Sequence, residues 1–296
     1  MSDYISINGQ LTPYDDARIA PFDAGLLHGA GLFETLRVRN GKIFRGAEHL
    51  ARITASAAVM NLPFTLGLGQ LQEMMADLLE VNGLTDARAR LTITRGDLHE
   101  ATAEQPEPPV TLMLSASAFA PYPAALYEKG LTAIIAPYKQ NPESPLCGHK
   151  TTSYVDRLMA LREAQKLKAG EALWFAAGTN FLAEGSISNV FIVDKDGVLA
   201  TPPLHVPEKT NQRLCLPGIT RQVVLGLATE MNVLPHERMI TITELLAAKE
   251  VFVTNAIMGV MPVTHIEKHN VGNEKPGELT MKLHAAYNAL LETETD

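Results

Sequence analysis

Between residues 119 and 126 the sequence stops reading as regular secondary structure. Phe119-Ala120-Pro121-Tyr122-Pro123 carries two prolines two positions apart. Each fixes φ and lacks an N–H, so neither a helix nor a central strand continues through the stretch. A chain of 296 residues is long enough for two domains of ordinary size,. The break predicts a small domain over 1–118, a linker over 119–126 and a larger domain over 127–296.

Both halves mix the two periodicities, so the fold class is α/β (α+β). In the first half, residues 4–11 read as a hairpin about Asn8-Gly9, and Asn40-Gly41 marks a second turn,. Three glycines in 25–31 precede a strand-like run that ends near Val38. Helices are expected over 48–60 and 71–79, and 88–95 alternates as a half-buried strand with 110–117 as its neighbour. In the second half, strands are expected over 131–136, 171–176, 189–194, 198–201, 233–240 and 250–254. Helices are expected over 153–168, 218–231 and 278–291, and the tail 292–296 is expected to fray.

With 46% hydrophobic residues the chain fills a core, and a net charge of −8 without runs offers no basic face for nucleic acid or an anionic membrane,. A small-molecule site is the remaining reading, with no metal called for. No apolar run approaches the roughly 20 residues that span a bilayer, and the N-terminus lacks a basic segment followed by an apolar core. A soluble, cytoplasmic protein is expected. Two cysteines, Cys147 and Cys215, suit a reducing compartment and free thiols,; Cys147 reads as a small packed residue.

The chemistry is read around Gly148-His149-Lys150-Thr151-Thr152-Ser153-Tyr154. Upstream, Asn141-Pro142-Glu143-Ser144-Pro145 forces a loop. Downstream, Val155, Leu158, Met159, Leu161, Arg162 and Ala164 recur at helical spacing, which predicts a helix that buries this face and steadies its first turn. Lys150 is one of twelve lysines, and most lysines are solvated surface charges,. What singles it out is its company. Leu182-Ala183-Glu184-Gly185-Ser186-Ile187-Ser188-Asn189-Val190-Phe191 sets an acid just before a buried strand, where a carboxylate needs a partner,. Leu216-Pro217-Gly218-Ile219-Thr220-Arg221 opens a helix whose free amides at Ile219 and Thr220 hold a phosphate or simply face water,. Thr254-Asn255-Ala256-Ile257-Met258-Gly259-Val260-Met261-Pro262 is a polar break after an apolar strand, either a capped turn or a ligand contact,. His49 and Arg52 lie one turn apart on a helix, and Arg52 can reach a phosphate,.

A lysine that condenses with an aldehyde, an acid for a ring nitrogen and a phosphate cup are the parts of a pyridoxal phosphate site. Gly31-Leu32-Phe33-Glu34-Thr35-Leu36-Arg37, His49-Leu50-Ala51-Arg52, Lys150 with its helix, the 182–191 run and 216–221 together resemble the fold type IV pyridoxal-phosphate enzymes. That family comprises branched-chain and D-amino-acid aminotransferases and aminodeoxychorismate lyases, and the resemblance extends from Ile7 to Val263. It implies a smaller α/β domain linked to a larger domain built on a β-barrel, with the site between them and a homodimer mate closing it over the Gly25–Arg37 stretch. It implies that Lys150 holds pyridoxal 5'-phosphate covalently and shuttles the proton, and that Glu184 pairs with the pyridine nitrogen. Arg52, Ile219 and Thr220 resemble the phosphate cup, completed by Asn255 and Ala256, while Ser188 and Asn189 belong to the cofactor-binding run. Tyr154 matches a tyrosine that reaches the cofactor's phenolic oxygen in the branched-chain enzymes.

Two reactions fit those parts. Returning the proton to the cofactor gives an aminotransferase between a branched-chain or other neutral amino acid and a 2-keto acid. Expelling pyruvate from 4-amino-4-deoxychorismate instead gives a lyase that forms 4-aminobenzoate. A silent cofactor-binding protein is the third reading, opposed by the filled catalytic positions. The sequence signals divide: 33–37 and 255–263 resemble the lyases, 182–185 and 216–221 the aminotransferases, which we take as the expected class. After Thr94-Arg95-Gly96 the chain reads Asp97-Leu98-His99, without the arginine and histidine pair of bacterial D-amino-acid enzymes. Phe33, Arg37 and Arg95 are the substrate-binding candidates, either arginine being able to grip a carboxylate or form an ion pair on a strand face.

Overall fold

Two glycine turns set the register of the first sheet. Asn8-Gly9 and Asn40-Gly41 all have positive φ (51°, 82°, 50° and 75°), the left-handed pair that a two-residue hairpin needs,. They join β1 (Tyr4–Ile7) to β2 (Gln10–Pro13), and β3 (Gly31–Arg39) to β4 (Lys42–Ile43). Between these hairpins lies α1 (Ala24–His28), which no sequence signal announced; Asp23 caps it by accepting the Gly25 N–H at 2.7 Å. After β4 come α2 (Gly46–Val59), α3 (Leu68–Val81), β5 (Ala87–Thr94) and β6 (Thr111–Ala118). The sheet order is β2-β1-β6-β5-β3-β4, antiparallel throughout, and β6 is the neighbour of β5 as its alternation predicts. Leu32, Leu36, Val38, Ala89, Leu91 and Ile93 face one way and bury against Leu50, Ile53, Leu71, Met75 and Leu78 of the two helices,.

The computed structural model describes residues 3–101 and 108–296. It forms two units, Met1–Ala120 with His149–Ser153 and Leu291–Asp296, and Pro121–Gly148 with Tyr154–Leu290. The second contains α4 (Ala124–Lys129), β7 (Leu131–Gln140), α5 (Val155–Lys166), β8 (Glu171–Ala176), β9 (Leu182–Gly185), β10 (Asn189–Val193), β11 (Leu199–Thr201), β12 (His205–Val206) and β13 (Lys209–Arg213). It continues with α6 (Ile219–Glu230), β14 (His236–Glu237), α7 (Ile242–Leu246), β15 (Glu250–Asn255), β16 (Gly259–Ile266), β17 (His269–Asn270) and α8 (Glu278–Thr295). Its main sheet runs β14-β11-β10-β15-β16-β7-β8-β9, with β17 beside β16. In a flat sheet β10 and β9 would stand about 24 Å apart, five strand spacings. Yet residues 186–188 alone connect them, a reach of at most about 14 Å. The sheet therefore curls on itself, a half-barrel, and Gly185 N–H closes onto Ser188 O at 2.7 Å.

Four expectations are corrected. Of 233–240 only His236 and Glu237 are strand, because Pro235 lacks a donor and Leu234 faces solvent,. The break after Thr254 is limited to 256–258; Gly259 (φ 63°) turns the chain back into β16, an interior strand of the sheet. The apolar stripe of α5 is exposed, with Val155 at 68%, Leu158 at 50% and Met159 at 44%. Its buried face is Ala160 and Ala164, small enough to lie close on Ile134, Ala172 and Trp174. The tail does not fray: α8 continues to Thr295, Arg39 holds Asp296 at 2.8 Å, and Lys42 donates to Asp296 O at 2.8 Å.

Candidate active site

Lys150 is held by a strand and not by the helix that follows it. The segment His149–Ser153 lies along the start of β3, where Phe33 N–H donates to Lys150 O and Thr152 N–H donates to Gly31 O, both at 2.9 Å. Leu32 faces Thr151 in this short bridge. Strand alternation then sends Thr151 to the helix side of the sheet and Lys150 to the other, with Phe33. The Lys150 Nζ lies 4.5 Å from the centroid of the Phe33 ring, and the Arg90 guanidinium carbon 3.6 Å from the same centroid. Gly31 is required here, since a Cβ would stand 2.6 Å from Ile93 O. On the face that carries Lys150, Phe33, Thr92 and Met113 form one cross-strand row, and Thr35, Arg90 and Ser115 form the next,.

Arg52 lies on the helix side. Its Nε donates to Glu34 Oε1 at 2.7 Å and one Nη to Oε2, and His49 Nδ1 meets the same Oε2 at 2.8 Å. Glu34 is fully buried, which alone would raise its carboxyl; Arg52 and His49 outweigh burial and hold it down to about 2,. Guanidinium has five N–H donors, so an arginine forked onto one carboxylate can also meet an anion. Arg37, by contrast, is tied to Asp86 at 2.9 Å and Val38 O and lies 3.6 Å over the Phe119 ring. Arg95 donates to Asn61 O at 3.5 Å.

In the second unit, Glu184 is the penultimate residue of β9 and is 5% exposed. Its Oε1 accepts from Arg157 at 2.7 Å and its Oε2 from the Leu216 N–H at 2.9 Å. Each carboxylate oxygen has two lone pairs, so one on each remains. The neighbouring turn is fixed by Glu171, a fully buried acid at the head of β8. It accepts from the N–H of Ala172, Ser186 and Ile187 and from Ser188 Oγ, at 2.9, 2.9, 3.4 and 2.5 Å. Burial raises its carboxyl despite these four donors. Tyr154 donates its hydroxyl to Ser186 O, and burial pushes the phenol up against the pull of Arg157. Trp174 Nε1 donates to Ser186 Oγ at 2.8 Å.

The turn at Leu216-Pro217-Gly218 delivers α6. Asn189 donates to Leu216 O at 2.9 Å, and a Cβ on Gly218 would stand 1.9 Å from Asn189 Oδ1. No side chain caps α6, so the amides of Ile219 and Thr220 in its first turn have no cap acceptor,. The Asn255 side chain accepts from Ile257 N and Met258 N and donates to Ile187 O, so it shapes its own turn. Thr254 Oγ1 is buried there without a partner. Ser188 Oγ donates to Glu171 and Asn189 Nδ2 to Leu216 O. Both cysteines are free and buried.

Sequence reasoning missed Arg157, Glu171 and Arg90. Arg157 was findable, being one helical turn after Tyr154. Glu171 heads the otherwise apolar Glu171-Ala172-Leu173-Trp174-Phe175-Ala176, where a buried acid implies fixed donors,. Arg90 shares the alternating face of Thr92, but no pattern places that face beside Lys150.

The first unit thus holds an amine clamped to a sheet edge, and the second a buried acid with an uncapped helix terminus nearby in the chain. The comparisons make the class specific: residues 31–266 match Amino-transferase class IV, and the chain belongs to that family. It is 33% identical over 282 residues to a putative branched-chain-amino-acid aminotransferase of Methanocaldococcus jannaschii, covering 94% of this chain and 93% of that one. The crystal structure of the Escherichia coli branched-chain amino acid aminotransferase superposes with a TM-score of 0.88 at 27% identity, covering 100% and 97%, and another such enzyme, solved with pyridoxamine 5'-phosphate, with 0.87 at 25% identity, covering 100% and 96%. The 4-amino-4-deoxychorismate lyase of Pseudomonas aeruginosa superposes with 0.80 at 28% identity, covering 96% and 98%. The protein is a class IV aminotransferase with the fold of these structures. Among the described residues no helix is long and apolar enough to cross a membrane.

Proposed function

We propose that this chain uses pyridoxal 5'-phosphate to move an amino group between a branched-chain or other neutral amino acid and a 2-keto acid, as a cytoplasmic homodimer. One observation carries the cofactor reading. A single turn ties a buried acid to an open helix terminus, because the Leu216 N–H that fixes Glu184 at 2.9 Å lies three residues before Ile219. A ligand with a basic ring nitrogen and a phosphate needs both groups. The orphaned Thr254 Oγ1 beside Asn255, and Gly218 with no room for a side chain, fit the same group.

When bound, pyridoxal phosphate supplies an aldehyde that condenses with amines and a protonated ring that withdraws electrons from the substrate's α-carbon. Lys150 would supply the amine that anchors it and, when free, the base for the substrate's α-proton. Glu184 would keep the ring nitrogen charged through its remaining lone pairs. Ile219, Thr220 and Ala256 would offer backbone N–H groups to the phosphate, and Arg52, steadied by Glu34, would add its charge. The Phe33–Thr92–Met113 row beside Lys150 favours a neutral side chain, and Arg90 is the cation placed to grip a carboxylate. Leu26 and Leu27 of α1, 67% and 48% exposed, are the apolar pair we assign to the dimer contact,.

The test is transfer of 15N from a panel of branched-chain, aromatic and D-amino acids to 2-oxoglutarate or pyruvate. At least one neutral amino acid should donate. If none does, while 4-amino-4-deoxychorismate yields 4-aminobenzoate and pyruvate, the chain is a lyase.

A further inference from the structure

A guanidinium taken out of water needs partners that compensate its lost hydration. The side chain of Arg157 is 15% exposed, and every partner it has surrounds Glu184. It donates to Glu184 Oε1 at 2.7 Å, to Gln140 Oε1 at 2.8 Å and to Gly185 O at 3.0 Å, and lies 4.7 Å over the Trp174 ring. Gln140 is itself oriented to accept, since its Nε2 donates to Leu214 O at 2.6 Å and to Cys147 Sγ at 3.1 Å. The guanidinium is thus locked by three groups besides the acid, and it cannot swing away when another cation approaches Glu184.

We propose that Arg157 is a resident counter-ion that limits how tightly Glu184 holds a proton on the ring nitrogen of the bound cofactor. The proposal rests on the reading that Glu184 faces that nitrogen. A lone buried carboxylate would present a full negative charge. Glu184 presents an ion pair, whose field on the open side is that of a dipole, and a cation there is held less firmly. Burial would lower the Arg157 pKa, but Glu184 outweighs it, so the guanidinium stays charged throughout. The other titratable groups facing the pair are Tyr154 and Asp156 from α5, Glu171 from β8, Cys147 from the 141–148 loop, Arg213 at the end of β13 and Cys215. Burial pushes Tyr154 and both thiols up, away from the working range. Asp156, Glu171 and Arg213 are present in every variant, and Arg157→Lys, which keeps the charge they face, controls for them.

The experiment loads cofactor labelled with 15N at the ring nitrogen onto wild type, Arg157→Met, Arg157→Lys and Glu184→Gln, and follows its chemical shift with pH. Arg157→Met should keep the ring nitrogen protonated to a pH higher by roughly one to two units. Arg157→Lys, which restores the charge, should return most of the way to wild type. A wild-type profile in Arg157→Met, or a shift to lower pH, overturns the proposal. Glu184→Gln should lose the ring proton at lower pH. If it does and Arg157→Met is silent, only the role of Arg157 falls; if Glu184→Gln leaves the signal unchanged, the reading of Glu184 falls and this proposal with it. Should Arg157→Met not fold, Arg157→Gln keeps a donor for Gly185 O without the charge and gives the same readout.

Discussion

Glu34 in the first unit and Glu184 in the second are both buried carboxylates met by an arginine from a helix, and they differ in what is left over. Glu34 takes two donors of Arg52 and one ring nitrogen of His49, so its charge is matched and Arg52 cannot turn. Glu184 takes one donor from Arg157 and one from a backbone amide, and each oxygen keeps a lone pair. The first arrangement fixes an arginine. The second leaves an acid with room for a further donor, the difference on which the proposed role of Glu184 rests.

The largest effect should come from the open acid. Glu184→Gln should keep the fold and lower kcat by on the order of 10² to 10⁴, since an amide cannot hold a protonated ring nitrogen. An unchanged kcat would remove the distinction drawn between the two acids. In the closed pair, Glu34→Gln should cost stability, on the order of 3 kcal/mol in urea unfolding, because it leaves a buried guanidinium short of its counter-charge. Its cofactor affinity should weaken too. A loss confined to kcat would make Glu34 the working acid.

The same pair has a pH signature. Glu34 is held at about 2 against an ordinary value of 4.5, so its contribution is complete above 4.5 and lost as pH falls towards 2,. Glu34→Gln should therefore flatten the acid limb of the stability curve; an unchanged limb would contradict the assigned cause. Glu171 has only neutral donors and a raised carboxyl, so its ionised form disfavours folding as pH rises past the unfolded value,. Glu171→Gln should change stability at neutral pH least of the three, by about 1 kcal/mol or less. A loss as large as that of Glu34→Gln would show that Glu171 depends on its charge.

Much of this was legible in the chain. Asn8-Gly9 and Asn40-Gly41 announce their hairpins because a two-residue turn needs positive φ, and the alternation of 88–95 announces β5. Lys150 was singled out by the proline-broken loop before it, Glu184 by the buried strand after it and Arg52 by its place one turn from His49, and their roles came from the family resemblance. What failed depended on contacts distant in sequence. The face that α5 buries is set by the closeness of Trp174 and Ile134, which favours Ala160 and Ala164 over larger apolar neighbours. The β3–β4 hairpin and Arg45 make the tail after Leu291 a helix end and not a loose one. Nor does local pattern reveal that His149–Ser153 lies along β3, which is what orders Lys150.

The Lys150 amine, ordered by that clamp, is the group we assign to carry the cofactor. The direct measurement is borohydride reduction of the protein loaded with pyridoxal phosphate, followed by peptide mapping. The account predicts one phosphopyridoxyl group per chain, on the peptide containing Lys150, and none fixed at that stoichiometry in Lys150→Ala. A stoichiometric label on any other lysine, or an equally labelled Lys150→Ala protein, would contradict it.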